Sequence, residues 1–499
     1  MTIKFLFKIG INFTFSFIIS ISFLFSNTYE NYKKKINLKS VCFTYFRALK
    51  FYNVQAIYSV YKPYFKSILK LSWPIIIGQL GIVLMGVADT LMIGKIDATN
   101  LAAAGLANAI YYLITILGLG TLMAVSPLIA KAKAENNLQE CVNYFKAAIL
   151  VALVLSVFIF FVNMLLSNNL DWFKQDENVK PLANQFLTLL NYSTLPLLLF
   201  LAVKQFSDGL SITTPAAVIT MIALALNILL NYMFIYGNWG MPALGLKGAG
   251  WATIISRTLM FISMLLYVLL HKQYKPYLIK TATSIKTQFV SILKVGLPSG
   301  FQYFFEVGAF AAAAIIIGWI GKSEQAAHTL AINLASLTYM VATGISAGTG
   351  IAVGDAYGRK NKHDMLYAGK SGIILGGIFM GFCALIFTLF NHFIVEISVN
   401  DADVQFITAG LLYIAAMFQL SDGVQAVSLG ALRGLSDTKV PTIITIIAYL
   451  VIGIPLGYYF TFSMNLGLYG IWYGLSIGLT FSAIFLCIRF VKEVKSMKL

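Results

Sequence analysis

Four charged side chains interrupt the long apolar runs of this chain: the carboxylates Asp89, Glu306 and Asp422 and the guanidinium Arg257. The stretch "LKVGLPSGFQYFFEVGAFAAAAIIIGWIG", Leu293 to Gly321, shows the problem, with Glu306 the lone acid in a run long enough to cross a bilayer. Facing lipid at a helix centre, such a charge costs about 2.5 to 3.5 kcal/mol, so each must face a bundle interior or a water-filled cavity. A carboxylate in that position can be discharged by a proton or a bound cation. That chemistry is ion coupling, and it makes Glu306, Asp422 and Asp89 the candidate cation-coupling residues. The competing reading makes them satisfied structural groups, for example Asp89 neutralised by Arg257. One arginine cannot serve three acids, and the structural role is assigned to Arg257 itself. His328 and His392 lie near span ends, where an ordinary hydrogen-bonded histidine is expected rather than a proton relay.

The elements that must position these groups follow from composition. Of 499 residues, 59% are hydrophobic and 11% charged, and the mean hydropathy is +0.81, far from soluble domains and typical of a polytopic membrane protein. Apolar windows long enough to span a hydrocarbon core of about 30 Å fall at 68–93, 102–126, 143–166, 183–203, 214–236, 248–270, 290–318, 326–352, 370–396, 405–430, 441–463 and 467–488. Lys70, Lys146, Lys294, Lys370 and Glu396 are near enough to span ends to reach the interface. The loops after even-numbered spans, the segment 27–70 and the C-terminal tail carry most of the Lys and Arg, whereas the other loops hold only Lys95, Lys174, Lys180, Lys247 and Lys322. The positive-inside rule therefore places both ends of the twelve-span core in the cytoplasm. The net charge of +17 suits an anionic lipid surface and calls for no nucleic acid.

The halves repeat. "LKLSWP" (Leu69 to Pro74) returns as "LKVGLP" (Leu293 to Pro298), and Leu106-Ala107 returns as Leu330-Ala331, both at an offset of 224 residues, while "GLKG" from Gly245 is echoed by "GLYG" from Gly467 at 222. A duplicated six-helix unit is expected. Six is an even number, so the copies enter from one side and are related by a pseudo-two-fold axis along the membrane normal, facing a central cleft. The chain then reads as an N-terminal extension 1–66, a six-helix lobe 67–271, a cytoplasmic linker 272–289 and a second six-helix lobe 290–499, all α-helical. Within the extension, Ile9 to Phe25 resembles either a signal-peptide core or an additional helix. A cleaved signal would send the lysine-rich 27–70 outside; an additional helix keeps it inside.

Other motifs carry less. "GWIGKS" (Gly318 to Ser323) imitates the end of a P-loop, but Ile316 stands where its first glycine belongs. "GTGIAVG" (Gly348 to Gly354) reads as close helix packing. The four cysteines, Cys42, Cys141, Cys383 and Cys487, are scattered and indicate neither a disulfide framework nor a zinc site. "GDAYGRKNK" (Gly354 to Lys362) resembles the cytoplasmic loop signature of the major facilitator superfamily, although a glycine turn with a basic inner loop explains it as well.

At its intramembrane charges the chain resembles the multidrug and toxic compound extrusion (MATE) family, its bacterial branch in particular. "WPIIIGQLGIVLMGVADTLMIG" is similar to the family's first helix, with Pro74, Gln79 and Asp89 at its proline, glutamine and aspartate. "GLPSGFQYFFEVGAF" resembles the seventh helix, with Glu306, and "FQLSDGVQAVSLGALRGLSDTKVP" the tenth, with Asp422. "FSDGLSITTPAAVITMIALALNILLNYMFIYG" resembles the fifth helix, putting Asn227 and Asn231 at positions associated with cation binding. Some archaeal members have an aspartate at the place of Asn231, so the resemblance shifts weight to the second lobe. What it implies is a secondary antiporter in the bacterial inner membrane, not an enzyme. It would work by alternating access, exporting organic and mainly cationic or amphipathic compounds in exchange for Na⁺ or H⁺. No cofactor is expected, and a monomer in contact with lipid is. A Na⁺ would sit at Glu306 and Asp422, and Gln79, Asn227 and Asn231 would line the substrate or cation cavity. The rivals are a lipid-linked oligosaccharide flippase of a related group, which needs a more cationic cleft than Arg257 alone offers, a major facilitator type transporter, and a multi-spanning enzyme, for which no clustered catalytic set is found.

Overall fold

In a computed structural model of the protein, residues 54–173, 176–278 and 284–498 are described. The twelve-helix body belongs to the compact unit 61–499. The hydrophobic run Ile9 to Phe25 lies outside the described residues. Twelve helices long and apolar enough to cross a membrane are present among the described residues: α1 Ser59–Ile93, α2 Ala98–Ala134, α3 Leu138–Asn168, α4 Val179–Gly209, α5 Thr214–Tyr236, α6 Leu246–Leu270, α7 Lys286–Gly318, α8 Lys322–Gly358, α9 Lys362–Leu389, α10 Ala402–Gly434, α11 Lys439–Ser463 and α12 Leu468–Ser496. The all-helical class expected from sequence is the class observed.

The duplication is visible in backbone detail. Asn137 and Asn361, 224 residues apart, cap the starts of α3 and α9, each side chain accepting the N–H of the third residue on. Gly245 and Gly467 precede α6 and α12 in nearly one conformation, φ 56° with ψ −131° and φ 56° with ψ −141°, a left-handed region that glycine enters without a Cβ clash. Ala107 and Ala331, paired in the sequence comparison, are both fully buried. Two six-helix bundles are thus built from one plan. Their outer faces carry side chains such as Val157, Phe161 and Leu165 of α3 and Ile378 and Phe382 of α9, exposed as a lipid-facing surface must be.

Several span ends differ from the hydropathy reading, and two kinds of difference bear on the site. The run expected at 370–396 breaks at Phe390, after which Asn391–Ser398 forms a separate short helix with Glu396 exposed. The fourth, eighth and tenth helices continue past their expected ends at 203, 352 and 430 to Gly209, Gly358 and Gly434. Hydropathy windows stop where charge begins, but on α4 and α10 the charge is carried into the protein. Lys204 and Asp208 form a buried ion pair of 2.6 Å one turn apart on α4, and Arg433 is buried on α10. The four intramembrane charges counted from sequence must therefore be joined by these three.

Among the described residues, the contacts between the halves gather at one end. Gly120 of α2 lies against Gly300 and Tyr303 of α7, and its counterpart at an offset of 224, Gly344 of α8, lies against Ile76 of α1. Ile68, Ile76, Ile345 and Val427 form one mixed cluster, and Ile292 and Val295 of α7 join the core of the first half. Packing therefore crosses the lobe boundary drawn at 290. Further along, Pro127 packs on Gly354, Lys131 Nζ sits 4.7 Å from the Tyr357 ring centre, and Tyr64 Oη donates to Asp364 Oδ1 at 2.8 Å. All these residues lie toward the start of α1 or α7, toward the end of α2, α8 or α10, or at the head of α9, which is the end of the bundle where the basic loops lie. Toward the other end, a Cβ on Gly86, Gly105 or Gly308 would meet nothing within 4 Å.

Candidate functional site

Glu306 sits on α7 with 5% of its surface exposed. Its Oε1 accepts three hydrogen bonds, from Tyr339 Oη of α8 at 3.2 Å, Tyr449 Oη of α11 at 3.2 Å and Gln425 Nε2 of α10 at 3.3 Å. Its Oε2 is buried without a partner. Gln425 also donates to Tyr449 Oη at 3.0 Å, closing the cage. Asp422, one turn before Gln425, is 8% exposed, accepts no hydrogen bond from the described residues and lies within electrostatic reach of Glu306. Two carboxyls this close in a water-poor site repel each other if both are ionised, so the pair favours one held positive charge.

Tyr449 reaches the cage from α11, which is not a regular α-helix. Ile447–Gly453 and Tyr459–Ser463 are π-helical, and Pro455 follows the first of these stretches. A proline ring crowds the carbonyl four residues back and offers no N–H to it, so the ladder widens. Tyr339, Gln425 and Tyr449 were absent from the sequence-based site. Their signal was weak, being polar or phenolic groups in apolar runs, and the clearest was Gln425 at helical spacing from Asp422.

In the first half, Asp89 of α1 accepts from Asn231 Nδ2 at 2.5 Å and from Thr253 Oγ1 of α6 at 3.0 Å, and Asn231 Nδ2 also reaches Asn227 Oδ1 at 3.3 Å. Asn227 and Asn231, four apart on α5, share a face as helical spacing requires. Asn231 Oδ1 and Asn227 Nδ2 are buried and unpartnered. The structure brings Asp89, Asn227 and Asn231 together and adds Thr253. Arg257, one turn after Thr253, donates instead to Tyr111 Oη at 2.7 Å and Ser193 Oγ at 2.6 Å, with its guanidinium 5.4 Å from the Tyr111 ring centre. No ion pair joins Arg257 and Asp89 among the described residues, so the pairing weighed from sequence is not made. Gln79 departs from the sequence grouping as well. Its Oε1 accepts from Thr343 Oγ1 of α8 at 2.7 Å, which places it in the contact between the halves, apart from Asp89.

Between the two clusters, Tyr112 of α2 keeps 46% of its surface exposed while standing within electrostatic reach of Tyr303 and Glu306 across on α7. It marks the wall of a cleft between the halves. His328 accepts from Trp472 Nε1 at 3.2 Å, and Cys141, Cys383 and Cys487 are free. Among the described residues no group of three or more His, Cys, Asp or Glu side chains gathers as a metal site would.

The MatE family model matches residues 74–233 and again 298–459, once per half. The chain is 34% identical over 439 residues to a probable multidrug resistance protein NorM of Pseudomonas putida, covering 87% of this chain and 95% of that one. It is 33% identical over 438 residues to the multidrug resistance protein NorM of Photobacterium profundum, covering 85% and 94%. Among solved structures, the eukaryotic MATE transporter AtDTX14 superposes with a TM-score of 0.82 at 16% identity over 87% of this chain and 98% of that one. An outward-facing multidrug resistance MATE transporter gives 0.79 at 22% identity over 87% and 97%. At these identities the superpositions speak for the fold.

Proposed function

The chain belongs to the MatE family, and from that premise we propose that it is a secondary antiporter that exports chemically varied small molecules, organic cations among them, in exchange for Na⁺ or H⁺. The observation that carries the coupling is Glu306. Its carboxyl is held by three donors on one oxygen, has its other oxygen unpartnered, and stands beside Asp422. A small cation or proton neutralises the pair, and a cationic substrate in the cleft competes for the same negative charge. Binding of one then favours release of the other. The Asp89, Asn227, Asn231 and Thr253 cluster is the candidate second ion site. The relatives' multidrug resistance names support a broad substrate range.

The direction of the cleft follows from charge. With the basic loops in the cytoplasm of a bacterial inner membrane, the closed end faces inward, and the molecule is in its outward-open arrangement. Alternating access then requires the contacts at Gly120, Gly300 and Gly344 to part while the outer ends of the halves approach. Membership of the family removes the major facilitator reading, and no observation favours a flippase.

The test is drug efflux from energised vesicles with a Na⁺ or pH gradient imposed, comparing the wild type with Glu306→Gln at matched protein level. The near-isosteric variant is expected to reach the membrane and to lose ion-driven export. Undiminished efflux with the usual response to the gradient would return Glu306 to a structural role.

A further inference from the structure

Arg433 is a buried charge that the antiport cycle, as described, does not use. It lies at the inner end of α10 with 4% of its surface exposed. Its contacts are a 3.4 Å hydrogen bond from Nη2 to Tyr303 Oη and the Tyr303 ring, whose centre is 5.7 Å from Cζ. Nε is buried without a partner, and no carboxylate lies within ion-pair distance among the described residues. A guanidinium sealed in this way gives up most of its hydration for one long hydrogen bond and a ring face, a poor exchange if its task were only to hold the fold.

Its position is specific. Side chains on a helix lean toward the N-terminus. On α10 this sends Arg433 up from the closed end toward the carboxyls, and on α7 it sends Tyr303 down from Glu306, one turn away, to meet it. The Tyr303 ring in turn packs on Gly120 of α2, so Arg433, Tyr303 and Gly120 join both halves directly beneath the coupling site. Beside them α10 is pressed onto α8, where a Cβ on Gly434 would meet Gly350 O at 2.7 Å. The seal is polar as well as tight. It contains the Gln79–Thr343 hydrogen bond, the Thr121 hydroxyl and the unpartnered hydroxyl of Ser72. Such a row offers stepping stones to a proton or a partly dehydrated cation leaving Glu306 in the wrong direction.

We propose that Arg433 is the electrostatic barrier of this transporter: a fixed positive charge between the carboxyl pair and the closed face that stops a coupling cation from leaking through the seal without substrate. The proposal rests on the ion-coupled reading of Glu306 and Asp422. A buried positive charge in a narrow polar passage excludes cations and protons even where water or hydroxyls could conduct them. Tyr303 is a positioning residue, keeping the guanidinium under Glu306 without supplying charge.

The experiment measures passive flux in proteoliposomes loaded with a pH-sensitive or Na⁺-sensitive dye, with a potassium diffusion potential as the driving force and no substrate present. Arg433→Gln is expected to raise the H⁺ or Na⁺ leak by on the order of tenfold or more over wild type, whereas Arg433→Lys and Tyr303→Phe stay tight. Should Arg433→Gln fail to reach the membrane, Tyr303→Glu, which keeps the arginine and neutralises it with an adjoining carboxylate, must leak instead. A tight Arg433→Gln, a leaky Arg433→Lys, or a Tyr303→Phe as leaky as Arg433→Gln each overturns the barrier, since charge would then not be what closes the path. Ion-driven efflux by the wild type is measured in parallel. Its absence would count against the coupling reading, while a tight Arg433→Gln beside a coupled wild type would count against the barrier alone.

Discussion

Gly300→Ala should push the transporter out of the arrangement seen here, in which the halves are sealed at the end of the basic loops. A Cβ at 300 would stand 2.5 Å from Thr121 Oγ1 and closer still to Leu117 O, both on α2. Neither can step aside easily, because the Thr121 hydroxyl is itself bonded to Leu117 O at 2.7 Å. Restoring ordinary contact needs α7 and α2 to part by about 1 Å, and overpacking of this kind costs about 1 to 3 kcal/mol. The gain in helix propensity from Gly to Ala applies in both arrangements and cancels. The strain exists only while the inner seal is closed, so it biases the equilibrium toward the opposite state by about 5- to 150-fold. Spin labels at Glu135→Cys, at the end of α2, and Lys362→Cys, at the head of α9, read this as a longer distance population by double electron-electron resonance. Gly308→Ala is the control, being on the same helix where a new Cβ meets nothing within 4 Å. If both variants give the wild-type distance distribution, the contact at Gly300 does not hold the seal and the reasoning fails.

Three further outcomes are expected. Tyr449→Phe removes one of three donors that stabilise the Glu306 anion, so the site should hold its coupling ion about tenfold more tightly; an unchanged half-saturation for Na⁺ or H⁺ in transport assays would speak against that bond. Asp89→Asn should alter the ion dependence of efflux while leaving protein yield intact, and unchanged transport with unchanged ion dependence would make Asp89 structural. Lys204→Met strands the buried Asp208, whose Oδ1 already lacks a partner, at a cost of about 3 to 5 kcal/mol. The thermal midpoint in detergent should fall, and adding Asp208→Leu should recover much of the loss; no fall would mean the pair is hydrated.

Much of this was legible in the sequence, for identifiable reasons. Twelve apolar runs and a duplicated Leu-Lys-x-x-x-Pro segment carry the architecture because lipid enforces helices of one length and the repeat enforces one plan. Glu306, Asp422 and Asp89 were legible because charge inside an apolar run is costly and therefore conspicuous. Tyr339 and Tyr449 were not, since a tyrosine in a membrane helix is common and only the third dimension shows that two of them end on the same carboxylate oxygen. Lys204, Asp208 and Arg433 were hidden differently. Hydropathy cannot tell a charge that leaves the membrane from one folded back into the protein at a helix end, and each was counted with a loop. The bond of Gln79 to Thr343 was not legible because its helix was known but its facing was not.

The duplicated plan also shows how such a protein divides its labour. At an offset of 224 residues the positions that seal the halves correspond: Gly120 with Gly344, and Ile76 with Gly300, contacts made once in each direction across the pseudo-axis. The charged positions do not. Ile82 stands where the second half has Glu306, Leu198 where it has Asp422, and Ala313 where the first half has Asp89. The sealing contacts are therefore symmetric, as the proposed rocking of two like bundles would require, while the charged positions are not. On the proposed coupling, an ion held at the second-half carboxyls would act on a joint that both halves build. The coupling site need exist in only one lobe for both to move, provided that its charge state is felt at the seal. Tyr303 links the two: it lies one turn from Glu306, packs on Gly120 and occupies the position that Gln79 holds in the first half.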